Sequence, residues 1–189
     1  MKKLKKKLRK VWLVENYDIY EKKLGQEGNF QRKFVFREVK EEKDISLVAQ
    51  QFKGHFGKNG AKVLLQRINN GKILIAGFET KESDKICFIS WLSDSEPDFL
   101  EIKKKKKLRK KTLYSFRTLV PEEFRNKKVG REGISYAHEL AVKKGFEEIL
   151  CIVKKDNIAS KKMFESLGWR KNGAIIRKVL FKKETFKVL

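Results

Sequence analysis

Between Thr112 and Trp169 the chain switches between strand and helix periodicity in an order that admits few folds. Thr112-Leu-Tyr-Ser-Phe-Arg-Thr-Leu-Val120 is rich in β-branched and aromatic residues and is stopped by Pro121, which reads as a strand. Gly130, Gly133, Ile134, Ala137, Leu140 and Ala141 then recur at helical spacing and form a face of mostly small residues, closed by Gly145. The apolar run Ile149-Leu-Cys-Ile-Val153 is a second strand. A short helix carrying Ala159, Met163, Phe164 and Leu167 follows, ahead of Gly168-Trp169. A strand, a helix and a strand in one sheet require a crossover, so 112–120 and 149–153 are expected to run parallel. Small residues let the connecting helix lie close to that sheet.

The remaining elements fit around this unit. Phe34-Val-Phe-Arg-Glu-Val39 reads as a strand, and Asp44 as the N-cap of a helix reaching about Phe52. Ala61, Leu64, Leu65 and Ile68 mark a second amphipathic helix, ended by Asn69-Asn70-Gly71. The runs 72–78 and 85–91 read as an antiparallel hairpin, and two last strands are expected at about 174–181 and 185–189. The expected fold is α/β (α+β): a mixed sheet of about seven strands with flanking helices, the parallel pair splaying apart. Residues 1–32 are expected to be a basic extension and 33–189 the folded domain.

Charge decides less than its size suggests. The net charge is +23, but residues 1–10 and 103–111 supply 15 of it. Such tracts attach to a terminus or a loop without altering the chemistry of a fold. With 40% hydrophobic residues the chain has enough apolar surface to fold. Cys87 and Cys151 lie in apolar runs and are expected to be buried free thiols. With two histidines and no ligand cluster, no metal site is expected. No apolar run reaches the ~20 residues that span a bilayer, and the expectation is a cytoplasmic protein, membrane-peripheral at most. Residues 1–10 and 103–111 suit an anionic membrane surface or a nucleic acid, and Leu4, Leu8, Val11 and Trp12 share one helical face among the lysines. The oligomeric state is open, a dimer being one option.

Chemistry concentrates in the turn from the 112–120 strand to the small-residue helix. Arg125, Lys127, Lys128 and Arg131 surround the N-terminus of that helix. Unsatisfied backbone N–H groups and the helix dipole there favour an anion, and a pyrophosphate fits. Arg125-Asn-Lys-Lys-Val-Gly130 resembles the [Q/R]-x-x-G-x-[G/A] pattern of the GNAT superfamily of acyl-CoA N-acyltransferases, with Lys128 in place of the first glycine. Asn157-Ile-Ala-Ser160, Phe164 and Gly168-Trp169 resemble the same family's N-x-x-[A/S]-x-x-x-[Y/F]-x-x-x-G-[F/W] in full register.

The resemblance implies acetyl-CoA as cosubstrate and an amine acceptor, whether an amino sugar, a small amine or a protein amine. It implies that the backbone of Leu119 and Val120 lines the pantetheine arm. Arg125, Asn126, Lys127, Lys128, Val129, Gly130 and Arg131 would hold the pyrophosphate. Asn157 would position the thioester region, and Ser160 and Phe164 would flank the coenzyme. Relatives often carry a tyrosine where Phe164 stands, so Ser160 is the candidate proton donor to the departing thiolate, with Tyr114 and Tyr136 further off. Glu122, Glu123 or a water chain are candidates for the base. The alternative function is a GNAT-fold protein that binds acyl-CoA or a polyanion with little catalysis.

Overall fold

Residues 12–25, 31–95, 98–99, 104–105, 108–180 and 183–188 are described in the computed structural model of the chain. In chain order these form β1 (Trp12–Lys23), β2 (Val35–Glu38), α1 (Glu42–Gln51), α2 (Lys53–Phe56), α3 (Gly60–Asn69), β3 (Ile73–Phe78) and β4 (Ile86–Ser93). There follow β5 (Asp98–Phe99), β6 (Lys104–Lys105), β7 (Thr112–Leu119), a 3-10 turn (Glu122–Phe124), α4 (Val129–Lys143), β8 (Glu148–Lys154), α5 (Ile158–Ser166), β9 (Arg170–Leu180) and β10 (Lys183–Val188). β5 and β6 pair as a separate antiparallel ribbon joining part of the acidic patch to part of the lysine tract. The rest of 96–107 and the tail 1–10, with its helical reading, lie outside the described residues.

The main sheet has eight strands in the order β10-β9-β1-β8-β7-β4-β3-β2. β7 and β8 are parallel, as the crossover requires, and every other neighbouring pair is antiparallel. The count is eight rather than about seven because β1 comes from the stretch expected to be an extension. Trp12–Lys23 is no appendage: it lies between β8 and β9, pairing Tyr17 with Lys154 and Ile175. Its segment Tyr17–Tyr20 is buried on both faces. Tyr17 and Ile19 enter one core, Tyr20 enters the other, and Asp18 is buried beside it. The adjoining lysines hid this short apolar alternation from a reading by composition.

Each face of the sheet carries its own core. On one, Ile45, Val48, Phe52, Phe56 and Leu64 from α1–α3 pack on Leu74, Phe78, Ile89, Trp91, Tyr114 and Phe116. On the other, Val129, Ile134, Ala137 and Ala141 of α4, with Phe164 of α5, pack on Phe88, Leu92, Leu113, Ile149 and Cys151. Burying each large side chain contributes roughly 1.5–3 kcal/mol. Gly133 is where the small-residue face matters most, since a Cβ there would lie 2.6 Å from the Phe88 ring. Both cysteines are free and buried. Burial pushes the Cys87 thiol up to about 12 and Cys151 well above its usual range, so both stay protonated.

One cap differs from expectation. Glu41, not Asp44, stands at the N-cap of α1, and Asp44 lies inside the first turn, buried. Its carboxylate accepts two hydrogen bonds from Arg37, at 2.8 Å each, and the guanidinium also covers the Phe78 ring at 3.7 Å. A bidentate charged fork outweighs one cap hydrogen bond.

Candidate active site

The parallel pair opens at its C-terminal end. β7 and β8 pair from Thr112 with Glu148 to Ser115 with Cys151, and there the ladder stops, although β7 runs on to Leu119 and β8 to Lys154. The cause lies on the other side of β7. Against β4, Trp91 faces Phe116 and Ile89 faces Leu119, so Arg117 and Thr118 share the space opposite Ser90. This is a bulge, and Arg117 within it has a left-handed φ of +50°. The Ser90 and Thr118 hydroxyls, 2.9 Å apart, pin it. A bulge bends its strand, and here it carries β7 away from β8, leaving Leu119 and Val120 on a strand edge that an extended ligand can pair with.

Beyond that edge the chain turns through Pro121 and the 3-10 turn, anchored by the buried Phe124, into the exposed segment Arg125, Asn126, Lys127 and Lys128. Asn126 and Lys128 have φ of +62° and +64°. Lys128 thus holds a left-handed conformation immediately ahead of α4, where the family pattern has glycine. Val129 opens a 15-residue helix, whose first N–H groups have no acceptor within the helix itself. The one acid of that first turn, Glu132, faces inward and accepts from the N–H groups of Lys33 and Phe34 at 3.0 and 3.2 Å. Arg125, Lys127 and Lys128 are exposed beside that helix end.

Three elements converge at Gly130. A Cβ there would lie 3.1 Å from the Met163 sulfur of α5 and 3.6 Å from Val120 at the end of β7. Asn157 is the N-cap of α5, its Oδ1 accepting the Ser160 N–H at 3.1 Å, so both residues stand just past the end of β8. Phe164 lies deeper. It is buried, stacked on Tyr20 at 6.4 Å and edge-on to Trp169 at 4.8 Å, which is a packing position. Leu119, Val120 and 125–131 thus share one rim, with Asn157 and Ser160 at the start of the neighbouring helix. Glu122 and Glu123 are exposed on the 3-10 turn, Tyr114 is buried against Phe116, and Tyr136 stacks on Phe36.

Sequence reasoning missed Asp18 and the bulge residue Arg117. Asp18 is 1% exposed and forms ion pairs with Lys161 of α5 at 3.0 Å and Lys171 of β9 at 2.7 Å. Burial alone would raise its pKa, but the two ammonium groups outweigh it and hold the carboxyl below its usual value. Asp18 is thus an ionised tether of α5, not a base. Its signal was the buried alternation Tyr17-Asp-Ile-Tyr20. Tyr20 donates to Glu165 at 2.7 Å, and burial together with that carboxylate pushes its phenol up, away from service as an acid. The bulge at Arg117 left no sequence signal. Among the described residues no helix is long and apolar enough to cross a membrane.

These features define an α/β protein built around a split parallel pair with a basic turn and a helix N-terminus at the split. The sequence profile of the Acetyltransferase (GNAT) family matches residues 54–169, more than half of the chain, and the chain belongs to that family. Acyl transfer is the chemistry of the family, with an acyl-CoA as its general cosubstrate. Solved structures agree on the fold. A functionally unknown conserved protein from Staphylococcus epidermidis ATCC 12228 superposes with a TM-score of 0.59 at 16% identity, over 94% of this chain and 66% of that one. A GCN5-related N-acetyltransferase from Sphaerobacter thermophilus gives 0.63 at 11%, over 96% and 56%. An N-acetyltransferase from Staphylococcus aureus Mu50 gives 0.53 at 11%, over 72% and 83%. The chain thus spans less than two thirds of the first two of these proteins. No curated protein matches the sequence.

Proposed function

We propose that the chain takes an acetyl group from acetyl-CoA and passes it to a primary amine. One observation carries this reading: the edge of β7 left unpaired by β8 beyond Ser115 and the basic N-terminus of α4 meet at Gly130. Such a junction suits a ligand with a diphosphate at one end and an extended amide arm at the other. The diphosphate lies on Arg125–Arg131, the arm runs along Leu119 and Val120, and Asn157 positions the thioester. A backbone N–H near Val120 polarises the carbonyl. The amine nitrogen attacks the carbonyl carbon, the C–S bond breaks, and the thiolate takes a proton from Ser160 or a water while the amine proton passes to water. Holding both reactants in place supplies most of the acceleration, and a general acid adds about 10²–10⁴-fold. The acceptor is an amino sugar, a small amine or a protein amine.

The test is a melting curve with and without coenzyme A. At one hundred times its Kd, a ligand of the folded state contributes about 2.7 kcal/mol, a rise of roughly 5–10 °C for a chain of this size. Gly130→Val, which drives a side chain against Met163 and Val120, and Arg125→Glu in the exposed turn are both expected to lose most of the rise. Unmoved curves at millimolar coenzyme A would overturn the reading. Mass spectrometry of acetylated products across amino sugars, polyamines and peptides then identifies the acceptor.

A further inference from the structure

On the face of the sheet that carries α1–α3, two neighbouring nitrogens are buried without a partner. Trp91 is fully buried on β4, and its indole N–H has no hydrogen-bond acceptor. The Arg67 guanidinium of α3 lies over the indole, its Cζ 5.5 Å from the ring centroid, and its Nη1 is likewise buried and unpaired. An unmade buried hydrogen bond costs roughly 1–3 kcal/mol, and more for a charged group, so two side by side call for an acceptor from outside the chain. No carboxylate of the described residues is within ion-pair distance of Arg67 or Arg117. Arg117 is close enough for its charge, after burial, to disfavour the Arg67 cation further. Both arginines are only half-buried, while the Arg67 Nη1 and the indole Nε1 are themselves enclosed. Arg117 is also the bulge residue, and Phe116 beside it stacks on Trp91 at 6.2 Å. The cluster therefore stands where β7 parts from β8, on the opposite face from the α4 turn.

We infer that Arg67, Arg117 and the Trp91 indole N–H form the acceptor's anion site: the amine substrate carries an oxyanion, a carboxylate or a phosphate, that docks here while its amine reaches the split. This rests on the acyl-transfer reading above. An oxyanion accepts from a guanidinium fork and an indole N–H at once, and a charge-neutral amine leaves those donors unpaired.

The experiment compares acceptors that differ by one anionic group, cadaverine against lysine and glucosamine against glucosamine 6-phosphate, with acetyl-CoA as donor and thiol release as readout. Wild type is expected to prefer the anionic member of one pair by roughly tenfold or more in kcat/KM. The lysine pair reports a carboxylate, the sugar pair a phosphate. The preference is expected to fall towards unity in Arg67→Gln and Arg117→Gln, with Arg67→Lys as the milder variant should Arg67→Gln fail to melt cooperatively. Equal treatment of both pairs by wild type, or a preference that survives in the variants, overturns the inference. If wild type neither binds acetyl-CoA nor turns over any amine, the acyl-transfer reading fails and the anion site is judged separately. Inorganic phosphate and acetate are then titrated against the Trp91 indole N–H resonance, identified with Trp91→Phe. A shift in wild type that is absent from Arg67→Gln supports the site, and a flat titration sinks it.

Discussion

Lys128 sits in a left-handed conformation that costs a residue with a Cβ roughly 1–2 kcal/mol, and it is exposed, so no burial offsets that cost. Lys128→Gly restores the family pattern and relieves the strain, less what glycine loses in the freer unfolded chain. The expected gain is roughly 0.5–1 kcal/mol, read as a rise of a few degrees in melting temperature. If coenzyme A binds at this turn, the same variant removes one charge facing the diphosphate. A variant that melts higher yet gains less from coenzyme A separates the two roles of this residue. The sequence showed Lys128 in place of the first glycine of the family pattern. Its backbone strain needed the φ angle, because motif spacing carries no torsional information.

At the scale of elements, the sequence made the unit from Thr112 to Trp169 legible because helix and strand differ there in period and each is bounded by Pro121, Gly145 or Gly168. The hairpin β3–β4 was legible for the same reason. β1 was not, since only Tyr17–Tyr20 shows the alternation and the charged run Glu21-Lys22-Lys23 follows it directly. The split of the parallel pair was expected, but its cause, the bulge at Arg117, depends on register with β4, and a single strand's sequence does not encode register. β1 also supplies the sharpest test at this scale. Removing residues 1–23 takes out the strand joining β8 to β9 and the Asp18 tether of α5, so cooperative melting is expected to disappear. Removing residues 1–10 is expected to leave coenzyme A binding intact and to weaken retention on heparin at low salt. Equal stability of the two truncated chains would show that β1 is dispensable.

For the molecule as a whole, acid should act through the carboxylates of β1. Asp18 and Glu15 are both held below their usual values despite burial, Asp18 by Lys171 and Lys161, Glu15 by Arg177, Tyr17 and Lys154. A depressed carboxylate contributes stability that is complete above its unfolded pKa, about 4 for these groups, and is lost as pH falls through the folded value. Melting temperature is thus expected to hold through neutral pH and fall below about pH 4, with the fall blunted in Asp18→Asn, which starts lower. The protein's +23 charge adds self-repulsion, which salt screens. The order of strands in the sheet has a further consequence during synthesis. β1 emerges from the ribosome well before its neighbours in the sheet, since Tyr17 waits for Lys154 and Trp12 for Leu180. At about 5–20 residues per second, roughly ten to thirty seconds pass before those partners exist. Through that interval a strand whose segment Tyr17–Tyr20 is buried on both faces in the finished fold is a solvent-facing, lysine-flanked ribbon, and its charge is then its protection against pairing with another nascent chain.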